Sequence, residues 1–213
     1  MIRFLIFILA AMLLFCACSK QDEGKADETT VPENGTVYEY DPDDPDKTTA
    51  VITYENGVEV SRDNYEYNER GNISAVITVK NGEAVQKTSY TYGENNIIQS
   101  VKEFKDEGVL CKEVSEFSDE GQLDLTAYYE DGVLQGKERY SYDEMGQMIR
   151  ADREDAEGNS NEYTLYTYDA GGRIVKAENY LFDCLDTYYE YTYKDGTINT
   201  VKKYDGNGNL ISE

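Results

Sequence analysis

One feature constrains this chain more than any other: most of it counts in periods of about 25 residues. Tyr-x-Tyr doublets begin at Tyr38, Tyr65, Tyr90, Tyr140, Tyr166 and Tyr191, and Ser115-Glu116-Phe117 keeps the missing place with one aromatic. A second series drifts with the first: Gly57, Gly82, Gly108, Gly132, Gly158 and Gly208, with Asp183 filling its gap. The chain has 20 tyrosines and no tryptophan, and the doublets account for most of that aromatic excess. A period of this length marks an array whose units are too small to bury a face alone and stack on their neighbours instead.

Each unit reads as a hairpin. Tyr90-Thr91-Tyr92 and Tyr166-Thr167-Tyr168 alternate ring and polar group, the period-two signature of a strand with unlike faces. A turn follows, carrying Gly71, Gly121, Gly146, Gly172 or Gly196, with Asn95-Asn96 in their place in the third unit. Gly and Asn tolerate the positive φ such turns need. The second strand is expected to start on an aliphatic residue: Ile73, Ile98, Leu123, Met148, Ile174 or Ile198. It runs on through Val51, Val76, Val101, Thr126, Ala151, Ala177 or Val201. The return turns Asn56-Gly57, Asn81-Gly82 and Asp131-Gly132 are strong two-residue hairpin signals. The pair Val76 and Val79 breaks strict alternation, so either both faces are partly covered or a bulge realigns the strand.

The expected fold is therefore all-β: an antiparallel up-and-down repeat array of about seven hairpins forming a twisted or curled sheet. About fourteen strands of roughly six to eight residues at about 4.8 Å spacing would span roughly 65 Å. Right-handed twist disfavours a flat ribbon of that length.

The start of the chain reads as an address. Met1-Ile2-Arg3 precedes an apolar run from Phe4 to Phe15, too short to cross a bilayer and suited to a signal-peptide core. Leu14-Phe15-Cys16-Ala17-Cys18 resembles a bacterial lipoprotein lipobox, with Phe15 where Leu is usual and Ala17 directly before the acceptor. The resemblance implies a signal peptide over 1–17 and acylation of Cys18, and several acyl chains anchor stably where one does not. Residues 18–35 are polar and acidic with almost no large apolar group, and are expected to act as a flexible tether. The repeat domain follows over 36–213. The expected location is extracytoplasmic, held on the membrane by lipid.

Tyr140-Ser141-Tyr142-Asp143-Glu144-Met145-Gly146-Gln147-Met148 and Tyr166-Thr167-Tyr168-Asp169-Ala170-Gly171-Gly172-Arg173-Ile174 resemble the Tyr-Asp repeat of bacterial RHS/YD proteins. The likeness covers 36–213 and weakens in the first unit, where Asp41-Pro42-Asp43-Asp44-Pro45-Asp46 replaces the short turn. In that family the repeats build a spiralling β-sheet shell. The units here are longer than the family's usual repeat, and the resemblance implies an extracellular, non-catalytic β scaffold.

Chemistry is sparse. The chain has no histidine, which removes imidazole bases, His-activated nucleophiles and His metal ligands. Its formal net charge of -23 repels phosphates, so no nucleic-acid partner is expected. Asp205-Gly206-Asn207-Gly208-Asn209 opens like a calcium loop but has Leu210 where glycine is required, and the acidic turn Asp41–Asp46 fixes no coordination sphere. No metal site, cofactor or catalytic residue is assigned. Cys111 and Cys184 are expected to lie about six strands apart and to stay unpaired.

The candidate binding residues are the aromatic rows: Tyr65, Tyr67, Tyr90, Tyr92, Tyr140, Tyr142, Tyr166, Tyr168, Tyr191 and Tyr193. Tyrosine offers a flat apolar ring and a hydroxyl, useful against a glycan or a protein. Two alternatives stand beside such an interaction module: an envelope spacer without a specific ligand, in which the rings only hold the sheet together, and an immunity partner of a basic secreted toxin.

Overall fold

A computed structural model describes residues 31–213; Cys18 and the signal and most of the tether lie outside the described residues. The described chain is fifteen antiparallel strands in one open sheet, each paired with its neighbours in sequence. They are β1 (Gly35–Asp41), β2 (Asp44–Glu55), β3 (Val58–Tyr67), β4 (Ile73–Lys80), β5 (Glu83–Tyr92), β6 (Ile97–Asp106), β7 (Val109–Phe117) and β8 (Leu123–Glu130). Then follow β9 (Val133–Tyr142), β10 (Met148–Asp155), β11 (Glu162–Tyr168), β12 (Ile174–Leu181), β13 (Cys184–Lys194), β14 (Thr197–Asp205) and β15 (Leu210–Ser212). The all-β repeat array stands as expected. Its full strands are longer than expected, running from 7 to 12 residues, because both hairpin ends are built by compact turns.

The two ends use different chemistry. At one end, two-residue turns such as Asn56-Gly57 and Asn81-Gly82 place both residues in the left-handed region (φ 52° and 73° at the first). That geometry matches the twist of the flanking strands. At the other end, an Asx residue folds the turn. The Asp143 Oδ1 accepts from the amides of Met145 and Gln147 at 2.9 Å each, and the Gly146 amide donates to the Asp143 carbonyl at 3.0 Å. Asn68 and Asp169 do the same at their turns. The Asx residue that directly follows the doublet at Asn68, Asp143 and Asp169 is thus the organiser of its turn, a side chain standing in for backbone.

The alternation puzzle resolves through both devices. Val76 pairs with Tyr65 and Val79 with Arg62, so the two valines lie on opposite faces of the sheet. Just before them a bulge at Ser74 brings Ile73 opposite Tyr67. The same bulge recurs at Asp124, Ile149, Val175 and Asn199. In the third unit the structure corrects the expected alignment: Ile97, not Ile98, pairs with Tyr92, and Ser100, not Val101, lies opposite Tyr90. The turn Gly93–Asn96 is one residue shorter than its counterparts, which shifts the following strand by one.

No second layer covers the sheet among the described residues. The fully buried positions are few and mostly small: Ala50, Ile52, Ala75, Thr126, Ala127, Ala151 and Ala177. Small groups are buried here because long side chains on adjacent strands close over them, not because an opposing layer packs on top.

Candidate functional site

Strand pairing puts all ten candidate tyrosines on one face. Tyr65 lies opposite Val76, Tyr90 opposite Ser100, Tyr140 opposite Ala151, Tyr166 opposite Ala177 and Tyr191 opposite Val201. The second member of each doublet sits two residues on and therefore faces the same way. All ten are half-buried. A small or β-branched partner beneath each first ring leaves room for it to lie along the sheet.

The two members of a doublet do different work. The hydroxyl of Tyr92 donates to the carbonyl of Ile73 at 2.7 Å, that of Tyr142 to Leu123 at 2.8 Å, and that of Tyr168 to Met148 at 2.7 Å. Tyr67 does so to Thr48 at 2.5 Å and Tyr193 to Ile174 at 2.8 Å. Each acceptor is the residue that pairs with the second aromatic of the preceding unit, at the bulge. Pairing between consecutive units stops short of that point: β4 and β5 last pair at Ala75 and Ser89, β8 and β9 at Leu125 and Arg139. The carbonyl beyond has left the ladder, and the ring of the next unit reaches across to it. An unpaired carbonyl in such a place costs about 1–3 kcal/mol, so the second row is a clasp between units.

The first row is left with its hydroxyls largely uncommitted. Of Tyr65, Tyr90, Tyr140, Tyr166 and Tyr191, only Tyr140 makes a hydrogen bond within the described structure, to Glu138 Oε2 at 2.8 Å. Burial raises the phenol pKa of Tyr65, Tyr90 and Tyr191, and burial followed by the charge of Glu138 pushes Tyr166 up to about 12. Tyr140 is raised by the same two causes. All five therefore stay neutral at physiological pH, as half-buried rings able to donate or accept through the hydroxyl.

Sequence reasoning missed the polar column beside this row. Two residues before the first aromatic stand Asp63, Thr88, Glu113, Glu138 and Thr164, each facing a strand neighbour on the tyrosine face. Asp63 accepts from Thr78 Oγ1 at 2.6 Å, and Glu113 takes Lys102 Nζ at 3.3 Å. Glu138 is the hub of the column, bound by Tyr140, by Arg153 Nε at 3.2 Å and by Tyr128 at 3.4 Å. The signal was present in the same period, but single acidic residues are hard to pick out in a chain with 43 of them.

The opposite face carries a different network. Arg62 bridges Glu39 and Glu59 at 2.8 and 3.0 Å, and Arg139 meets Glu154 at 2.8 Å. Arg150 covers the Tyr163 ring at 3.8 Å, and Tyr163 stacks on Tyr180 at 4.7 Å. Such partly exposed ion pairs contribute little each; the stems of these long side chains also cover apolar sheet surface.

Nothing in the described residues gathers three or more metal-ligating side chains. The Asp205 carboxylate is committed to its own turn, accepting from the Asn207 and Asn209 amides and from Asn209 Nδ2. Asp41 accepts from the Asp43 amide at 2.9 Å, which with Lys47 holds its carboxyl below the usual carboxylate range. Cys111 and Cys184 are free, on β7 and at the start of β13. Two shallow clefts lie by the turn Gly93–Asn96 and between Arg150 and Phe182, and no doublet tyrosine lines either.

No family model matches the chain, and no curated protein does. Among solved structures, it is similar to a porin-like protein from Bacteroides uniformis, with a TM-score of 0.40 and 13% identity over 78% of this chain and 63% of that one. It is also similar to a Tc holotoxin pore from Photorhabdus luminescens, with a TM-score of 0.34 and 11% identity over 80% of this chain and 12% of that one. The chain thus spans less than two thirds of either protein, and likeness at these scores assigns neither family nor function.

Proposed function

We propose that the chain is a non-catalytic, lipid-anchored extracytoplasmic protein whose repeat sheet serves as an interaction module for a glycan or a protein. One observation carries the reading: the first-place tyrosines form a row of half-buried rings on an uncovered face, with hydroxyls that, Tyr140 apart, the fold does not use. Tyr65, Tyr90, Tyr166 and Tyr191 make no hydrogen bond within the described structure, whereas the five second-place hydroxyls that form clasps are committed to backbone. Rings recurring at two-strand intervals of about 10 Å suit an extended ligand that can stack and hydrogen-bond at several units. The anchor is read from Cys18 and the residues before it, with 18–35 as the tether. The repeat is taken as a relative of the RHS/YD type, supported by the separate task that each residue of Tyr-x-Tyr-Asp performs: surface ring, clasp and turn.

The spacer reading has its own support in the clasps, by which five of the ten candidate tyrosines tie one unit to the next. Glycan-array and pull-down screening of the full chain in lipid nanodiscs separates the two. The interaction reading expects a ligand whose binding drops at least about tenfold when Tyr90 and Tyr166 become Ala, with Tyr92→Phe leaving affinity unchanged. Silence in both screens, or binding indifferent to the first row, leaves the spacer. For the anchor, Cys18→Ala is expected to move the protein from the membrane to the soluble fraction.

A further inference from the structure

The hairpin ends opposite the Asx turns follow one plan, and two neighbouring ends break it at the same place. Asn56-Gly57, Asn81-Gly82, Glu107-Gly108 and Asp131-Gly132 join β2–β3, β4–β5, β6–β7 and β8–β9, each a pair that closes on glycine. Phe182-Asp183 joins β12 to β13, with both residues in the left-handed region at φ 50° and 60°. That conformation suits Gly, Asn or Asp and is sterically costly for phenylalanine. The ring gains no burial in return, since it stays 67% exposed. At the preceding end, residues 156–161 join β10 to β11 in place of a two-residue turn. Asp155 folds the first part of this loop, accepting from the Asn159 amide at 2.8 Å and from Asn159 Nδ2 at 2.9 Å. The loop then meets the next hairpin, where the Asn161 carbonyl accepts from the Phe182 amide at 2.8 Å. Insertions peculiar to one unit of an array tend to gather on its binding surface, and strain that the fold does not need points the same way.

The two departures enclose a cleft lined by Arg150, Ser160, Asn161, Tyr163, Phe182 and Asp183. Its volume of about 200 Å³ is below the about 300–1,000 Å³ of sites that enclose a drug-sized ligand, and leaves room for one sugar ring. Tyr163 lies three residues before Tyr166, so its ring is on the face away from the doublets. That ring is already held between Arg150 at 3.8 Å and Tyr180 at 4.7 Å, which leaves Phe182 as the free aromatic platform. The Arg150 guanidinium is neutralised by Asp152, to which Nε donates at 2.7 Å and Nη2 at 2.5 Å. Asp183 then makes the cleft net negative, which disfavours an anionic ligand, and among the described residues no three metal-ligating side chains gather to hold a cation. Partial desolvation and then the charge of Asp183 raise the Tyr163 phenol, so the hydroxyl near that carboxylate stays protonated.

We propose that this cleft binds a neutral pyranoside, at a site separate from the tyrosine rows. The C–H face of the sugar lies on the Phe182 ring, as apolar faces do on aromatic side chains. Neighbouring hydroxyls donate to the Asp183 carboxylate and exchange hydrogen bonds with the Ser160 hydroxyl, the Asn161 amide and the spare N–H groups of Arg150. The proposal stands whether or not the first tyrosine row binds a ligand.

Saturation-transfer NMR on the full chain in lipid nanodiscs tests it, with empty nanodiscs as the blank. The probes are the methyl glycosides of glucose, galactose, mannose and N-acetylglucosamine. At least one is expected to receive saturation on the protons of one ring face, with an affinity in the millimolar range that a single stacked ring implies. Methyl glucuronide is expected to bind at least about tenfold more weakly than the best neutral probe. Asp183→Asn keeps the turn but loses the charged acceptor, and should weaken binding at least about tenfold. Phe182→Asn gives this turn the residue that Asn56 and Asn81 supply in theirs, and should abolish the transfer while raising the thermal unfolding midpoint. The variant with both Tyr90→Ala and Tyr166→Ala should keep the transfer. Silence from all four neutral probes overturns the proposal, as does transfer that survives Phe182→Asn or Asp183→Asn undiminished. A glucuronide bound as tightly as the neutral probes overturns it too, and so does a midpoint that falls with Phe182→Asn, which would mean that the ring serves the fold. Transfer lost with Tyr90 and Tyr166 would assign the sugar to the tyrosine row instead.

Discussion

Five of the inter-unit joints share one design, and the joint between β6 and β7 departs from it; the departure shows what the tyrosine hydroxyl is for. At the five, a bulge releases a carbonyl, pairing ends before it, and a phenol from the next unit closes the gap. β6 carries the same bulge, at Ile98, yet β6 and β7 pair without a break from Asp106 with Val109 through Gln99 with Glu116. Gln99 is the counterpart of Ala75, yet its partner lies two residues further along the incoming strand than Ser89 does. The ladder therefore runs up to the aromatic itself, and this unit alone has Phe117 in the second place and Ser115 in the first. Where backbone reaches the turn, no hydroxyl is required. The phenol is a substitute for two lost ladder positions.

Alkali should break this contrast most strongly. Burial and then Glu138 push Tyr128 and Tyr166 up to about 12, and the same causes raise Tyr140. Their unfolded pKa is about 10. The folded state thus favours the protonated phenols: their stabilising contribution is complete below about pH 10 and is lost as pH rises through about 12. The urea midpoint is expected to hold level from pH 7 to 9 and to collapse between 10 and 12. Amide protection after a brief alkaline pulse should fail first in β8 to β11, around these three phenols, and last in β6 and β7, whose first-place residue carries no titrating group. A uniform loss along the array would remove the distinction.

How much of this could be read beforehand follows the same division. The period, the all-β class, the common face of the doublets and the two-residue turns were legible because each is a local pattern repeated many times. The joints were not, because register between units depends on where a bulge falls, and a bulge at Ser74 or Val175 leaves no mark in composition. The slip at Ile97 hid behind a neighbouring isoleucine, with Asn95-Asn96 concealing a turn one residue short. The Tyr rows were visible as one group of ten; only the position of carbonyls such as those of Ile73 and Leu123 divides them into a row that clasps and a row whose hydroxyls, Tyr140 apart, are uncommitted.

Core volume tests the comparison next. Ala177 is 2% exposed between the Tyr166 and Tyr189 positions, while its counterpart Ser100 lies between Tyr90 and Ser115. Ala177→Leu must force two rings aside and is expected to lower unfolding free energy by about 1–3 kcal/mol. Ser100→Leu has a small neighbour on one side and should cost less than half as much. Chemical denaturation of the two variants gives the ratio directly; equal losses would mean that the joints pack alike.

Hydroxyl exchange sharpens it further. Tyr142→Phe removes the donor to Leu123 and leaves that carbonyl without a partner at a half-buried site, for a loss of about 1–2 kcal/mol. Phe117→Tyr supplies a hydroxyl where the ladder has already closed, and is expected to change stability by less than about 0.5 kcal/mol. A gain from Phe117→Tyr comparable to the loss from Tyr142→Phe would show that the β6–β7 joint wants a clasp and merely lacks one.

The smallest effect decides whether anything else replaces the clasp at that joint. Asn96 Nδ2 donates to the Asp119 carbonyl at 2.6 Å, tying the short turn of the third unit to the turn of the fourth. Both residues are exposed, so Asn96→Ala should cost only about 0.5 kcal/mol, near the low end for a hydrogen bond in water. If that turn-to-turn bond stands in for the missing phenol, Phe117→Tyr would recover stability once Asn96 is gone, and the two substitutions would couple. The register argues otherwise. Paired backbone already fills the space between β6 and β7, and the Asn96 bond acts at the turns, beyond the ladder. The double-mutant cycle is therefore expected to be additive within about 0.3–0.5 kcal/mol, and a coupling clearly above that would transfer the clasp's role from backbone pairing to the asparagine.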